Sequence, residues 1–443
     1  MQIQLSDKFT FKKLLRFTFP SIIMMVFTSI YVVVDGFFVS NFAGKDAFAA
    51  VNFIIPLTMI LGCVGFMFGT GGGALIAKTM GEGDNQKANQ IFSLVVYVSI
   101  VLSVALMAVG LVILRPVAQL MGAEGQLLED SVTYGRILII AVPAYVLQYE
   151  FQCLFATAQK PTLGLIITIL AGVTNIILDA IMVVVLKWGI VGAAVATAIS
   201  QCVGGIVPLF YFAFPNKSLL RLGKAKWDGR ALFKTVTNGS SELMTNISMS
   251  IVNMLYNVQL LKYIGQDGVS AYGVLMYVNM IFLAVFIGYS IGCAPIISYN
   301  YGAKNSSELR QTLKKSLIVT GVFGAIMFGA ALLLAKPLSV LYVGYDKELL
   351  DITFHAFEIF SFSFLFVGFA IFFSSFFTAL NDGVTSAIIS FVRTLVFQIA
   401  AVLVFPLIWG VNGIWISIVA AEIMAVLMSL VFLALKRKKY GYW

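Results

Sequence analysis

The chain has 443 residues, of which 60% are hydrophobic and only 11% charged, with a formal net charge of +9 and a mean hydropathy of +0.97. A soluble domain carries about 25% charged residues to keep its surface solvated, so a soluble protein of this size is excluded. The remaining solvent is the bilayer, where each span takes roughly 20 mostly apolar residues and closes its own backbone hydrogen bonds.

Residues 1–16 carry Lys8, Lys12, Lys13 and Arg16 ahead of a long apolar run. No short apolar core ends there in a small-residue cleavage site, so the segment reads as an amphipathic lead-in and not a signal peptide. Apolar runs then predict spans near 15–40, 48–78, 91–114, 132–158, 162–186 and 190–214. A basic linker, 215–234, separates these from a second set near 237–262, 269–300, 314–335, 352–380, 384–408 and 411–435. The expected fold is an all-α polytopic membrane protein of twelve helices. Residues 1–214 form an amino-terminal six-helix lobe, 215–234 a cytoplasmic linker, and 235–443 a carboxy-terminal six-helix lobe.

Within the spans, Pro56, Pro143 and Pro295 predict kinks. The stretch Gly69, Gly71, Gly72 and Gly73 lacks the lysine and flanking strand of a phosphate loop, and reads as close packing or a hinge. Cys63, Cys153, Cys202 and Cys293 lie in apolar segments without metal-ligand spacing, and read as packing residues. His355, the only histidine, lies near the end of a span beside Asp351 and reads as interfacial, because one imidazole alone does not build a metal site.

Lysine and arginine set the orientation. They crowd both termini and the even-numbered loops, the linker residues Lys217, Arg221, Lys224, Lys226, Arg230 and Lys234 among them. The odd-numbered loops hold only Lys45, Arg115, Lys187, Lys262, Lys336 and Lys347, and Arg136 and Arg393 lie within spans. A multi-pass protein of the plasma membrane with both termini cytoplasmic is therefore expected. The positive charge faces an anionic leaflet and requires no nucleic-acid partner.

The halves match at a constant offset of 221 residues. Gly44 pairs with Gly265, Gly81 with Gly302, Pro116 with Pro337, Thr157-Ala158 with Thr378-Ala379, and Trp188-Gly189 with Trp409-Gly410. Six spans per half preserve the orientation, so the repeat is parallel, about an axis along the membrane normal. Two like bundles around a shared cavity can rock between inward and outward openings. That favours a transporter over a channel.

Ionisable residues within spans are costly and mark functional or paired sites. Asp35 is flanked by apolar residues, while Asn175 and Asp179, four apart, share one helix face. Thr197 follows the small-residue patch at Gly192, where helices can pack closely. Together these four residues could bind Na⁺ through oxygen ligands. Alternatively, one carboxylate could hold a proton, since desolvation and a like-charged neighbour favour its neutral form. They could also simply join helices by hydrogen bonds. The second half carries Tyr256, Val396 and Ala400 where the first has Asp35, Asn175 and Asp179, so coupling is expected in the first half alone. Arg393 is expected to form a structural ion pair with Glu422 or Glu358, and Glu150 either touches a cationic substrate or points to the cytoplasmic end. Glu242, close after Gly239, reads as interfacial. Met276, Met280 and Phe282 offer a polarisable surface suited to promiscuous binding.

Three segments carry a family resemblance: Asp35-Gly-Phe-Phe-Val-Ser-Asn-Phe-Ala-Gly44 with Ala47-Phe-Ala-Ala50, Gly292-Cys-Ala-Pro-Ile-Ile-Ser298-Tyr-Asn-Tyr-Gly302-Ala303, and the run from Gly189 to Thr197. With them the chain resembles, over nearly its whole length, the multidrug and toxic compound extrusion (MATE) family. The resemblance implies a V-shaped pair of six-helix bundles that exports cationic or amphipathic drugs against Na⁺ or H⁺. Asp35, Asn175, Asp179 and Thr197 look like the amino-lobe cation site of its MepA-like and DinF-type branches. Ser248, Met249 and Ser250 stand where the NorM-type branch has an acidic residue in span seven, so a carboxy-lobe coupling site is not expected.

The rival reading is a flippase for lipid-linked saccharides. That would call for several cationic residues along the cavity, and only Arg136 and Arg393 lie within spans. An enzyme is not expected, because no paired-histidine motif and no serine or cysteine with a credible base is present. The expected partners are a small cationic or amphipathic substrate and the bilayer, with no cofactor beyond the coupling ion, and the chain is expected to act as a monomer.

Overall fold

A computed structural model describes residues 3–442 apart from Lys217, and leaves out the side chains of Lys45 and Asp46. Lys217 of the linker therefore lies outside the described residues. In chain order the spans are α1 Phe11–Ala43, α2 Lys45–Gly81 and α3 Asn85–Leu120. The fourth, α4, is broken into Gly125–Ile140 and Val142–Thr157, bent by 56°. Two continuous spans follow, α5 Pro161–Val185 and α6 Gly189–Ala213. After the linker come α7 Gly229–Tyr263, α8 Gln266–Gly302 and α9 Ser306–Val343. The broken α10 comprises Lys347–Ser361 and Phe364–Ala379, bent by 50°, and α11 Gly383–Trp409 and α12 Val411–Tyr440 close the chain.

Eleven of these are long and apolar enough to cross a membrane if each bent pair counts as one span; α7 is the twelfth. It is too polar to pass as a lipid-facing helix because Thr235, Asn238, Ser241 and Ser248 are all buried against its neighbours. It begins at Gly229, earlier than the sequence suggested, because the Asp228 side chain accepts from the backbone N–H groups of Arg230 and Ala231, both at 3.0 Å. The linker before it is docked on the amino half. There Arg221 N donates to Asn89 Oδ1 at 2.7 Å and Gly223 N to Ser93 Oγ at 3.0 Å.

The 221-residue repeat is visible in the backbone. Left-handed residues recur at Gly44 and Gly265 (φ 98° and 82°), Gly83 and Lys304 (89° and 55°), and Gly189 and Gly410 (56° and 57°). The two bends also correspond, at Ala141 and Phe362. Pro143 accompanies the first bend, but the second has no proline, and Pro56 and Pro295 lie inside uninterrupted helices. Both α2 and α8 continue as helix through these prolines.

The halves meet through helix crossings that only glycine permits. A Cβ on Gly239 would sit 1.9 Å from the Met67 carbonyl oxygen, and one on Gly71 2.1 Å from that of Thr235, so α2 and α7 touch backbone to backbone. The equivalent crossing joins α1 to α8, where a Cβ on Gly292 would lie 2.9 Å from Thr18 Cα. Thr18 and Gly239, like Gly71 and Gly292, are 221 residues apart. Toward the end that carries both termini, Gly81 and Gly302 seat reciprocally, each leaving only 2.0 Å between a would-be Cβ and the carbonyl oxygen of Tyr299 or Lys78. Away from that end Met59 and Ile60 of α2 and Met249 of α7 are exposed. The two bundles are thus sealed at the terminal side, while the exposed Met249 lines a cavity between them.

Both chain ends reinforce the seal. Leu5, Phe9 and Phe17 are buried with Tyr289 and Ile296 of the carboxy half, and Phe9 N donates to Glu308 Oε1 at 2.8 Å. At the other terminus, Tyr440 OH donates to Asp382 Oδ2 at 2.7 Å and Lys436 pairs with the same oxygen at 3.3 Å. Partial burial alone would raise the Asp382 carboxyl, but hydrogen bonds from Tyr440, Thr385 and Lys436 outweigh it and hold the group below its ordinary value. A depressed carboxyl adds stability that is complete above its unfolded value, about 3.9, and is lost as pH falls through the folded one. Asp382→Asn is expected to cost about 1 kcal/mol at pH 7, discounted for partial exposure. It should also flatten the fall in melting temperature between pH 6 and pH 3 relative to the parent.

Candidate functional site

The first site lies inside the amino half. Gly172 lets α5 approach α1, since a Cβ there would be 2.5 Å from the Phe27 ring and 2.9 Å from that of Tyr31. One turn beyond Tyr31, the Asp35 carboxyl faces that of Asp179 on α5. Asn175, a turn before Asp179, donates from Nδ2 to Thr197 Oγ1 of α6 at 3.5 Å. The α6 backbone comes close because Gly192 packs on Met182, with 3.1 Å between a would-be Cβ and the Met182 carbonyl. The structure thus brings together all four residues singled out in the sequence.

Asp179 and Asn175 are fully buried. Asp35 Oδ1, both Asp179 carboxyl oxygens and Asn175 Oδ1 have no hydrogen-bond donor among the described residues. Buried acceptors without donors carry a desolvation cost, and two facing carboxylates repel each other as well. One added positive charge, a proton or a small hard cation with oxygen ligands, relieves both. No group of three or more His, Cys, Asp or Glu is assembled among the described residues. A π-helical turn follows each carboxylate, at Val39–Ala43 in α1 and Ala180–Val185 in α5, a distortion common at functional sites. Sequence reasoning missed Gln148, whose Nε2 donates to Tyr31 OH at 3.4 Å; a glutamine in an apolar run of α4 was the available signal.

The second site is a cavity of about 190 Å³ between the halves, with α2 and α4 contributing one wall and α7, α8, α10, α11 and α12 the rest. Of the residues expected to meet substrate, Met276 lines it. Glu150 does not, and that expectation is corrected. It is fully buried on α4, accepts from Ser99 Oγ of α3, and its backbone forms the seat for Gly69 of α2, 3.0 Å from a would-be Cβ. Its carboxyl thus turns into the amino bundle, neither toward the cavity nor toward water. Met280 and Phe282 are likewise corrected. The Met280 carbonyl accepts from Ser29 Oγ at 3.5 Å, and Phe282 packs on Phe364 with ring centroids 5.0 Å apart; neither lines the cavity.

Arg393 pairs with Glu422, Nε to Oε2 at 3.0 Å and Nη2 to Oε1 at 3.1 Å. Glu358 takes no part: it is exposed on α10, opposite the face that buries Phe357 and Phe360. His355 sits at the periphery, its Nε2 2.9 Å from Asn412 Oδ1. The Arg393 and Glu422 side chains are only 11% and 7% exposed. Removing one partner of such a pair strands the other charge, at about 3–5 kcal/mol. Glu422→Gln is therefore expected to lower the melting temperature sharply, and the double variant Arg393→Met with Glu422→Leu to restore most of it.

Glu242, read from sequence as interfacial, lines the cavity together with Arg393 and Glu422. These are the charged side chains of its wall among the described residues.

Comparison with known proteins agrees with this architecture. Multidrug export protein MepA of Staphylococcus haemolyticus (strain JCSC1435) is 24% identical over 430 residues, covering 97% of this chain and 94% of the relative. MepA of Staphylococcus aureus (strain NCTC 8325 / PS 47) is 22% identical over 431 residues, with 97% and 94% covered. Among solved structures, an outward-facing conformation of a multidrug resistance MATE family transporter of the MOP superfamily superposes with a TM-score of 0.92. It shares 21% identity, and 98% of both chains is covered. The MatE family model matches twice, over residues 20–181 and 243–404, once in each half of the repeat. The chain belongs to the MatE family.

Proposed function

We propose that the protein is a secondary antiporter that exports cationic or amphipathic small molecules in exchange for Na⁺ or H⁺. The observation that carries this reading is the pair of facing, donor-free carboxyls of Asp35 and Asp179, with Asn175 and Thr197 beside them. A coupling ion is the species that completes this set.

Coupling follows from how α1 is held. Its outer part carries Asp35 in the amino bundle, while its inner part seats on α8 of the other half through Gly288 and Gly292. A change of charge at Asp35 therefore acts on the helix that ties the bundles together. When the site is vacant, the carboxylates repel and α1 is driven from α5; when it is filled, α1 is drawn back. Tilting α1 on α8 changes which side of the cavity is open, which is alternating access of two lobes. With both termini cytoplasmic, the sealed side faces the cytoplasm and the cavity opens outward.

The cavity disfavours the flippase reading. Its only cationic side chain among the described residues, Arg393, is committed to Glu422, which leaves nothing to hold a diphosphate. The test is uptake of a cationic dye into everted vesicles under separately imposed Na⁺ and pH gradients. Uptake driven by one gradient supports the proposal, and uptake indifferent to both removes it.

A further inference from the structure

The cavity between the halves has a charge arrangement that the coupling site does not use. Three charged side chains line it among the described residues, and two neutralise each other in the Arg393–Glu422 pair. The third, Glu242, makes no side-chain hydrogen bond or ion pair among the described residues, and the Arg393 guanidinium pairs with Glu422 instead. One carboxyl without a partner among the described residues therefore remains in the wall, available to a cation.

Its position is specific. Glu242 lies about one turn beyond Gly239, which rests on the Met67 carbonyl where α2 and α7 cross. It lines the cavity together with Cys153 of the amino half and Arg393 of the carboxy half. A molecule held on this carboxylate touches both bundles at the line from which they diverge. A second observation points to a ligand: Ser290, 6% exposed, lines the same cavity, and its hydroxyl has no partner among the described residues. Around these polar groups lie Phe66, Met249, Met276, Tyr256 and Tyr272, the two tyrosine rings stacked at 5.4 Å.

We propose that Glu242 is the specificity-determining residue of this cavity, taking the charged head of a lipophilic monocation, while the Arg393–Glu422 pair limits the cavity to one positive charge. A planar or branched apolar cation places its body on the aromatic and methionine surface and its charge on Glu242. A second positive charge on the same ligand would find no free carboxylate and would meet the Arg393 guanidinium across a poorly solvated gap. The inference rests on the transport reading for its purpose, but its test measures binding alone.

Ethidium and propidium share a ring system and differ by one positive charge, and the fluorescence of either reports binding to the purified full chain in detergent. The parent is expected to bind ethidium at least ten-fold more tightly than propidium. Glu242→Gln should weaken ethidium at least ten-fold, and Glu242→Asp, which keeps the charge, should retain most of the affinity at an unchanged melting temperature. Wild-type ethidium affinity in Glu242→Gln, or equal affinity of the parent for both dyes, overturns the proposal. If charge-selective binding is found but no gradient-driven uptake, the transport reading falls while the assignment of Glu242 stands.

Discussion

Asp35→Asn is expected to reduce gradient-driven export by roughly 100-fold or more, to the level of vesicles without the protein, while leaving insertion and folding intact. An amide cannot ionise, so the charge cycle that moves α1 is lost. Folding survives because asparagine offers Asp179 the donor it lacks; Asp35 and Asp179 have three orphan carboxyl oxygens between them. Relief of that repulsion should leave the melting temperature unchanged or raise it by the equivalent of about 1 kcal/mol. Both quantities can be measured on one preparation, by dye uptake and by thermal melting. Wild-type uptake by a correctly inserted variant would remove the amino-half site from the mechanism.

The second large effect is expected at the crossing of α2 and α7. Gly239→Val places a branched side chain where even a Cβ would be 1.9 Å from the Met67 carbonyl oxygen and 2.8 Å from its Cα. Backbone cannot yield as a flexible side chain can, so the helices must separate. Overpacking costs typically 1–3 kcal/mol, and about 3 kcal/mol is expected here, together with loss of the terminal-side seal and of export. Gly273→Ala on α8 is the matched control: nothing lies within 4 Å of its would-be Cβ, and alanine should stabilise the helix by about 0.5–1 kcal/mol. Melting curves, and thiol labelling of a cysteine placed below the crossing, read both predictions. A Gly239→Val protein that melts and seals like the parent would show that this contact does not hold the halves together.

Much of the architecture was legible because the signals that carry it survive a bilayer. Breakers and a rare tryptophan recur at the offset of 221 residues, and the same offset reappears as left-handed turns at Gly189 and Gly410. Asn175 and Asp179 could be placed together from helical spacing alone, since four residues make one turn. What could not be read was the direction in which a single helix faces. In a soluble protein, water sorts the polar from the apolar face; here lipid and protein interior are both apolar, and periodicity loses its meaning. That is why Glu150 stayed open between a substrate contact and the cytoplasmic end, while in the fold it turns toward Ser99. For the same reason Met280 and Phe282 could not be told apart from Met276, and Glu242 was set aside as interfacial. The polarity of α7 was itself a sign of internal exposure: serines and asparagines that lipid would exclude can line a cleft.

The two glycine crossings, Gly71 with Gly239 and Gly292 with Thr18, are one contact made twice. Each half presents the same patch and receives the same patch, the self-complementary geometry of an isologous pair of identical subunits. Taken singly, either half would turn a bare backbone groove toward hydrocarbon with no partner helix to fill it. The six-helix unit is therefore only half of a finished protein, and covalent fusion of two copies guarantees that each finds its mate.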